Sequence, residues 1–409
     1  MLPGVYLHIP FCKSRCSYCD FATDGYRSND AVERYVSALT KEISEFGRTS
    51  GEAARKVAIQ KQHSVLFHSV PPVPGVPLFR GGAERNKVAI DTIYFGGGTP
   101  SLLGAGQVEQ ILTAIHDRFA VAPNTEITME MNPATVTPET LRDYKSLGVN
   151  RASFGVQTFD DVDLRRLARG HNAEDARTTF RMLRDAGYDN VSFDLIIGLP
   201  RQKLADWERN LEEALTMNPE HISMYLLEIH EGTPLAEQIR SERQPLPDAE
   251  LAAEMYELMI DKVSAAGYRQ YEISNFAKPG FESRHNSKYW QLEPVLGFGV
   301  SAHSFDGRER YANERDTAKY VEMIKNTGSA EVMREDIDLA SEFVFLGLRM
   351  EYGIDLAAFA PRFGFDLDEE YRPEIDRLTD AGLVYIAEDR LRLTRKGKLF
   401  SNEVFAVFV

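Results

Sequence analysis

All three cysteines of this 409-residue chain lie within eight consecutive positions: Cys12, Cys16 and Cys19, in the run Tyr6-Leu7-His8-Ile9-Pro10-Phe11-Cys12-Lys13-Ser14-Arg15-Cys16-Ser17-Tyr18-Cys19-Asp20-Phe21. Thiolates are the usual ligands of iron–sulfur clusters, and four of them normally saturate a 4Fe–4S cube. Three on one CxxxCxxC loop would hold three irons and leave the fourth open to chelate a small molecule. The side chains converge only if the backbone between them is irregular, so this run must be a loop. A structural zinc site prefers four Cys/His ligands in paired CxxC spacing, and the sequence has no second pair. Three inert core cysteines would have no reason to cluster so closely.

With every cysteine in one loop, no disulfide framework remains, and a reducing, cytoplasmic compartment is expected. The net charge of −15 argues against a nucleic-acid binder, whose affinity rests on neutralising phosphates. No apolar run is long enough for a transmembrane segment, and no basic region followed by an apolar run opens the chain as in a secretory signal. At 409 residues the chain exceeds the usual size of one core, so two or three domains are expected.

Gly4–Ile9 reads as a strand that Pro10 ends just before the cysteine loop, and residues 29–46 carry helical periodicity through Val32, Tyr35, Val36, Leu39, Ile43 and Phe46. The cysteines therefore sit past the carboxyl end of a strand, where barrel enzymes keep their active sites. From about 48 to 90 the pattern breaks. The run Pro71-Pro72-Val73-Pro74-Gly75-Val76-Pro77 cannot be helix, and seven basic residues face two acidic ones. This stretch reads as a solvated, partly disordered insertion, a tolerated loop rather than a contact with an anionic surface.

Residues 91–95 form a short apolar strand running into Gly96-Gly97-Gly98-Thr99-Pro100, a turn whose glycines let backbone approach a ligand closely. It is no phosphate-binding P-loop, because the Lys-Ser/Thr ending is missing. Strand-like runs follow at 126–130, 151–155, 191–196 and 221–227, alternating with helical runs at 137–147, 173–186 and Leu204–Met217. Such alternation predicts a parallel sheet with right-handed crossovers, six strands in all. Polar residues stand at the carboxyl ends of these strands: Glu130, Gln157, Asp194 and, just beyond, Arg169. Singly each is a plausible rim residue; together they offer acceptors for hydroxyls and a guanidinium for a carboxylate.

These motifs together resemble the radical S-adenosylmethionine (SAM) superfamily. The resemblance implies a partial (β/α)6 TIM-like barrel and a 4Fe–4S cluster on Cys12, Cys16 and Cys19. It also implies that the open iron binds the amino and carboxylate groups of SAM. The Gly97-Gly98-Thr99 turn would contact the SAM amino group through its backbone. Tyr6, Tyr18, Glu130, Gln157, Arg169 and Asp194 match SAM-binding positions of the coproporphyrinogen-dehydrogenase-like branch.

Farther on come a long amphipathic helix at 248–266, an edge strand at 268–277, and His285-Asn286-Ser287-Lys288-Tyr289-Trp290. On residue physics alone His285 is a packed structural histidine. The resemblance implies otherwise, because HNxxYW is the motif assigned to haem binding in HemW-type haem chaperones. Gly297-Phe298-Gly299 looks like a second glycine-rich approach to the barrel mouth, and His303 reads as structural.

The tail has helical runs near 339–351, 355–363 and 368–381, a strand pair at 383–387 and Arg390–Leu393, and a last helix at 394–403. This is a winged-helix-like α+β arrangement, yet residues 335–409 hold 16 acidic and 9 basic side chains, a charge that a phosphate backbone would repel. A structural or docking domain is the expectation. The chain divides as a radical SAM core at 1–235, a haem-motif region and barrel extension at 236–330, and the tail domain at 331–409.

Phe21 separates two branches. Oxygen-independent coproporphyrinogen III dehydrogenases carry a further cysteine two residues after the third cluster ligand; this chain has Phe21 there. Phe21 and the intact HNxxYW resemble the HemW type. The implied function is a haem carrier that passes haem to acceptor haemoproteins, membrane-bound acceptors included, with a cluster and SAM regulating transfer. The alternative is a dehydrogenase that abstracts hydrogen from propionate side chains.

Overall fold

The computed structural model describes residues 1–26, 28–47 and 87–409. The insertion expected at about 48–90 lies outside the described residues up to 86. Its last two positions do not belong to a loop: Ala89 and Ile90 already form a strand.

The alternating pattern builds one sheet. Its parallel strands are β1 (Gly4–Ile9), β2 (Ala89–Gly97), β3 (Ala120–Met131), β4 (Arg151–Gln157), β5 (Val191–Ile197) and β6 (His221–Leu226). They lie side by side in chain order. Every residue of β4 is buried, as a strand with both faces covered requires. The chain then continues the same sheet with β7 (Arg269–Glu272), β8 (Asn275–Ala277), β9 (Val295–Phe298), β10 (His303–Phe305), β11 (Glu309–Asn313) and β12 (Glu331–Asp336). The spatial order is β12-β11-β10-β9-β1-β2-β3-β4-β5-β6-β8-β7. Strand β9 runs parallel to β1, with Gly4 opposite Val295 and Leu7 opposite Phe298, so the parallel array has seven members. Among the described residues the outer strands do not pair with each other, and the sheet is mixed and open.

Helices cover the outer face. Asn29–Glu45 begins where the Ser28 hydroxyl accepts from the Ala31 amide, and it buries Val32, Tyr35, Val36, Leu39 and Ile43. Ala105–Arg118 buries Val108, Ile111, Leu112 and Ile115 against the same core.

The tail folds around its own core, which includes Val344, Phe359, Leu378, Leu391 and Phe405. Its helices Leu339–Gly347, Leu356–Phe363 and Arg372–Asp380 stand beside three strands rather than two, because Ile354–Asp355 pairs with Arg390–Leu393. The single last helix expected at 394–403 is two helices, Arg395–Leu399 and Ser401–Phe405, separated by Phe400 at φ −106° and ψ 31°. The domain meets the sheet along β7. The Ile273 amide donates to Arg349 O at 3.1 Å, the Glu351 amide donates to Tyr271 O at 3.0 Å, and Glu272 bridges Met350.

One buried carboxylate ties the first helix to the β9 end of the sheet. Glu42 accepts from the Gly299 amide at 2.8 Å, the Asn313 side-chain amide at 2.6 Å and the Tyr320 hydroxyl at 2.6 Å. Burial pushes its carboxyl up to about 7 even though all three donors favour the ionised form. Glu42→Ala would strand three buried donors, and the cost of an unsatisfied buried group is about 1–3 kcal/mol. We expect a loss of about 2–5 kcal/mol in urea unfolding, allowing for partial relaxation. A change within about 0.5 kcal/mol would mean the three donors find other partners.

Candidate functional site

The cysteine loop is fixed at both ends before any ligand is considered. Phe11–Cys12 pairs in parallel with Asp24–Gly25, and the Tyr26 amide donates to Cys12 O at 2.8 Å. At the far side, the Ser17 amide donates to Leu167 O at 2.9 Å while Ser17 O accepts from the Leu235 amide at 2.8 Å. His8 ties the returning end of the loop to β1: its Nε2 lies 2.8 Å from Ala22 O and its Nδ1 lies 3.2 Å from the Tyr6 hydroxyl. Burial lowers the His8 pKa, so the ring is neutral, with Nε2–H donating and Nδ1 accepting.

The glycine turn after β2 lies against this loop. A Cβ on Gly98 would meet Pro10 and Ile9 backbone at 2.8–2.9 Å, and one on Gly97, at φ +108°, would strike the His8 ring. Only glycine permits that approach. Thr99 is buried, its hydroxyl 3.5 Å from Cys12 Sγ and accepting from the Asn132 side-chain amide at 2.8 Å.

Arg169 joins the pieces. Its Nη1 donates to Cys16 Sγ at 3.3 Å and to the Tyr18 hydroxyl at 3.4 Å; its Nη2 donates to Asn132 Oδ1 and to Gly155 O, both at 2.7 Å. Gln157, at the end of β4, takes a left-handed φ of +68°, a costly conformation for a non-glycine residue and one that collects at functional sites. Glu130 accepts from the Tyr94 hydroxyl at 2.7 Å and from the Gly97 amide at 3.2 Å. Burial pushes its carboxyl up to about 7, with Asp194 adding to the rise. Burial also raises the Asp194 carboxyl, against the Ser223 hydroxyl that bonds to it.

The structure thus brings Cys12, Cys16, Tyr18, Gly97, Gly98, Thr99, Glu130 and Arg169 into one contact network at the carboxyl ends of the strands. Asp194 reaches it through its charge on Glu130, and Gln157 borders it. Three members escaped the sequence reading. Asn132 holds both Thr99 and Arg169, and Tyr94 holds Glu130. Arg151, 1% exposed, acts electrostatically on Glu130, Asp194 and His285, and its Nε and Nη1 have no protein partner among the described residues. Asn132 stood in the sequence two positions after Glu130, but its contacts depend on strand register.

His285 lies elsewhere. It sits in the helix Arg284–Trp290, whose Arg284 and His285 amides donate to Glu126 at 3.1 and 3.0 Å. Lys288 in the same helix donates to Leu2 O at 2.7 Å and pairs with Asp91 at 2.9 Å. Leu2 precedes β1, Asp91 lies near the start of β2, and Glu126, midway along β3, is level with Gly4 at the start of β1 through Thr92. The cysteines follow the carboxyl end of the six-residue β1, so roughly 15–20 Å of strand separates the two motifs. Tyr6 and Tyr94 fill the space between: their rings stack at 6.1 Å, and Tyr94 stacks on His285 at 5.0 Å.

Both His285 ring nitrogens are engaged, Nδ1 with the Thr92 hydroxyl at 2.9 Å and Nε2 with the Tyr289 hydroxyl at 3.3 Å. Burial, assisted by Lys288 and Arg151, holds the ring neutral with its pKa lowered to about 3. A haem iron needs a reachable, free ring nitrogen. In this arrangement His285 is 1% exposed, and an iron ligated by it would have to replace one of these two hydrogen bonds.

Comparison with known proteins gives the following. The radical SAM superfamily profile matches residues 81–214, and that of the HemN C-terminal domain matches residues 335–400. The heme chaperone HemW of Bacillus subtilis is 34% identical over 414 residues, covering 100% of this chain and 99% of its own length. The heme chaperone HemW of Escherichia coli is 30% identical over 417 residues, covering 99% and 98%. Among solved structures, coproporphyrinogen III oxidase (HemN) from Escherichia coli, a radical SAM enzyme, superposes with a TM-score of 0.79 at 22% identity, over 100% of this chain and 90% of that one. That structural likeness carries the fold alone. No helix among the described residues is long and apolar enough to cross a membrane.

The Glu130 carboxyl gives a pH test independent of any ligand. Its folded pKa of about 7 exceeds the ordinary 4.5. Its contribution to stability is therefore present in acid and is lost as pH rises from about 4.5 to about 7, where folding has to bury a carboxylate. Glu130→Gln should reduce the pH dependence of unfolding free energy across that window, leaving the share that Glu42 contributes there. An unchanged slope would show that the carboxyl is already ionised in the folded chain.

Proposed function

Because this chain belongs to the HemW-type haem chaperone family within the radical SAM superfamily, we propose that it binds haem and passes it to acceptor haemoproteins. A 4Fe–4S cluster on Cys12, Cys16 and Cys19, with SAM beside it, would regulate the transfer. The observation that carries the reading is the match to the Bacillus subtilis chaperone over 99% of that protein's length. Acceptors embedded in a membrane fall within this reading, and the cytoplasm is the compartment it proposes.

The donor set fits a cluster better than a single ion. Among the described residues no three Cys, His, Asp or Glu side chains meet at a point suited to one metal. A cube takes its thiolates on three separate irons, so they need not meet. The three sulfurs are nonetheless close enough to affect one another. Burial raises the Cys12 and Cys19 thiols, and the charge of Cys16 raises both further. A cationic cluster would relieve that repulsion. The chemistry the pair supplies when bound is one-electron cleavage of SAM. Around it, Glu130 and Asp194 would accept from the ribose, Arg169 would hold the SAM carboxylate close to Cys16, and Gly97, Gly98 and Thr99 would offer backbone to the amino group. Gln157, Tyr6 and Tyr18 complete the proposed SAM wall.

Anaerobic reconstitution should give about four irons per chain, and replacing any of the three cysteines by Ala should remove the cluster. Retention of a full cluster in all three variants would sink the assignment. SAM should perturb the electron paramagnetic resonance spectrum of the reduced cluster. Glu130→Ala and Asp194→Ala should each weaken SAM binding by roughly 1–3 kcal/mol while leaving iron in place. Haemin should saturate near one per chain with a shifted Soret band, and the reduced protein given SAM should leave coproporphyrinogen III intact. Production of protoporphyrinogen IX without saturable haem binding would favour the dehydrogenase reading.

A further inference from the structure

One-electron cleavage of SAM needs an electron delivered to the cluster from outside this chain. Cys12, Cys16 and Cys19 are its only cysteines, so no second thiolate set is left to hold a relay cluster. Resting on the cluster reading above, we propose that the electron comes from a small acidic electron-carrier protein that docks in the groove beside the cysteine loop. Phe21 stands at the centre of that contact, with Arg15, Arg34 and Arg315 around it.

The groove, 820 Å³ in volume, lies between the loop, the first helix and the helix Thr317–Thr327. None of the residues proposed for the SAM wall lines it, so a partner seated there reaches the loop without displacing SAM. Phe21 is 61% exposed on its wall, and the buried Phe11 lines the same groove. The Phe21 amide bonds to the Cys19 sulfur and favours its thiolate. Two positions apart, the exposed residue and the third cysteine have Cα atoms no more than about 7 Å apart. The path from solvent to the ligand set is short.

The charges suit an acidic partner. The wall sets Arg15, Arg34 and Arg315 against two carboxylates, Asp24 and Asp316. Asp316 is committed to capping its helix, accepting from the Lys319 amide at 2.9 Å. Arg34 makes no hydrogen bond or ion pair among the described residues, which leaves its fork free for a carboxylate. A chain of net charge −15 repels an acidic protein at long range, so a local excess of cations fixes where one settles and how it is turned. An exposed aromatic ring among arginines has the composition of an interface core, and electron-transfer encounters are small. Arg15 donates to Cys19 O at 3.1 Å and Arg315 donates to Asp20 O at 2.9 Å. The groups that meet the partner therefore also brace the loop at its third ligand. The step moves one electron and no atoms: the carrier is oxidised by one electron, the cluster is reduced by one, and no bond forms or breaks.

The test uses oxidised flavodoxin as the acidic carrier and times the same contact in its downhill direction. Reconstituted full-length protein is photoreduced and mixed with flavodoxin by stopped flow, and the semiquinone absorbance is followed as the cluster gives up its electron. The rate should fall as salt rises. Arg34→Glu has no internal partner to lose and should slow transfer about tenfold. Phe21→Ser keeps the amide that bonds to Cys19 and should slow it as well. Both variants should react at the unmodified rate with benzoquinone, a small neutral oxidant that needs no dock, and calorimetry should show weaker flavodoxin binding in both. A rate that ignores salt and is unchanged in both variants would overturn the proposal and leave the groove to another partner, a haem acceptor included. Equal slowing toward benzoquinone would overturn it too, by placing the defect in the cluster. Failure of the unmodified protein to assemble a cluster would instead defeat the cluster reading on which the proposal rests.

Discussion

Arg169 reaches four groups that belong to three different stretches of chain: Cys16 and Tyr18 in the cysteine loop, Asn132 beyond β3, and Gly155 in β4. A guanidinium does this because its donors are fixed in a planar fork, and a lysine at the same place could not bond in four directions at once. The position of the middle cysteine, the path of the chain after β3 and the end of β4 are therefore one geometric problem with one solution. Asn132 extends that solution to Thr99 and, through it, to Cys12. Two of the three thiols are thus oriented by hydrogen bonds that exist before any inorganic group arrives.

Below this network the barrel interior is a column of polar and aromatic contacts. Glu130 holds Tyr94, Tyr94 stacks on Tyr6 and on His285, and His285 bonds to Thr92. The two motifs that stand out in the sequence are the two ends of this column. The aromatic surroundings of His285 are built by rings from β1 and β2, Tyr6 and Tyr94, stacked on the inner face of the sheet.

Much of the core was legible because alternating strands and helices leave strong signals. Gly4–Ile9 and Leu204–Met217 have the boundaries their patterns imply. Strand β9 was not legible as a parallel strand. It has four residues, Val295 to Phe298, and no long helix leads into it, so the βαβ rhythm that marks the others is absent. The helix Ala105–Arg118 carries the same signal as its neighbours, with Val108, Ile111, Leu112 and Ile115 at helical spacing. In the site, motif spacing pointed to the cysteines and glycines, whereas Tyr94, Asn132 and Arg151 acquire their roles only through register between neighbouring strands. The placement of His285 was further out of reach. It depends on a short helix folding back, more than 150 residues later, onto Glu126.

The contact between the tail domain and β7 has a consequence for solubility. A sheet that does not close exposes two edges, and each is a row of unpaired amides and carbonyls inviting another chain to add a strand. The two edges here are guarded differently. Strand β12 carries Glu331, Arg334, Glu335 and Asp336, mostly exposed, and charge discourages a neighbour from pairing with it. Strand β7 ends on the buried Glu272, followed by the buried Ile273. Two backbone groups at this end, Tyr271 O and the Ile273 amide, are taken up instead by residues 349–351 of the tail. For the sheet, that domain is a stopper against strand-by-strand aggregation, and cutting it away would leave a sticky edge as well as a shorter protein.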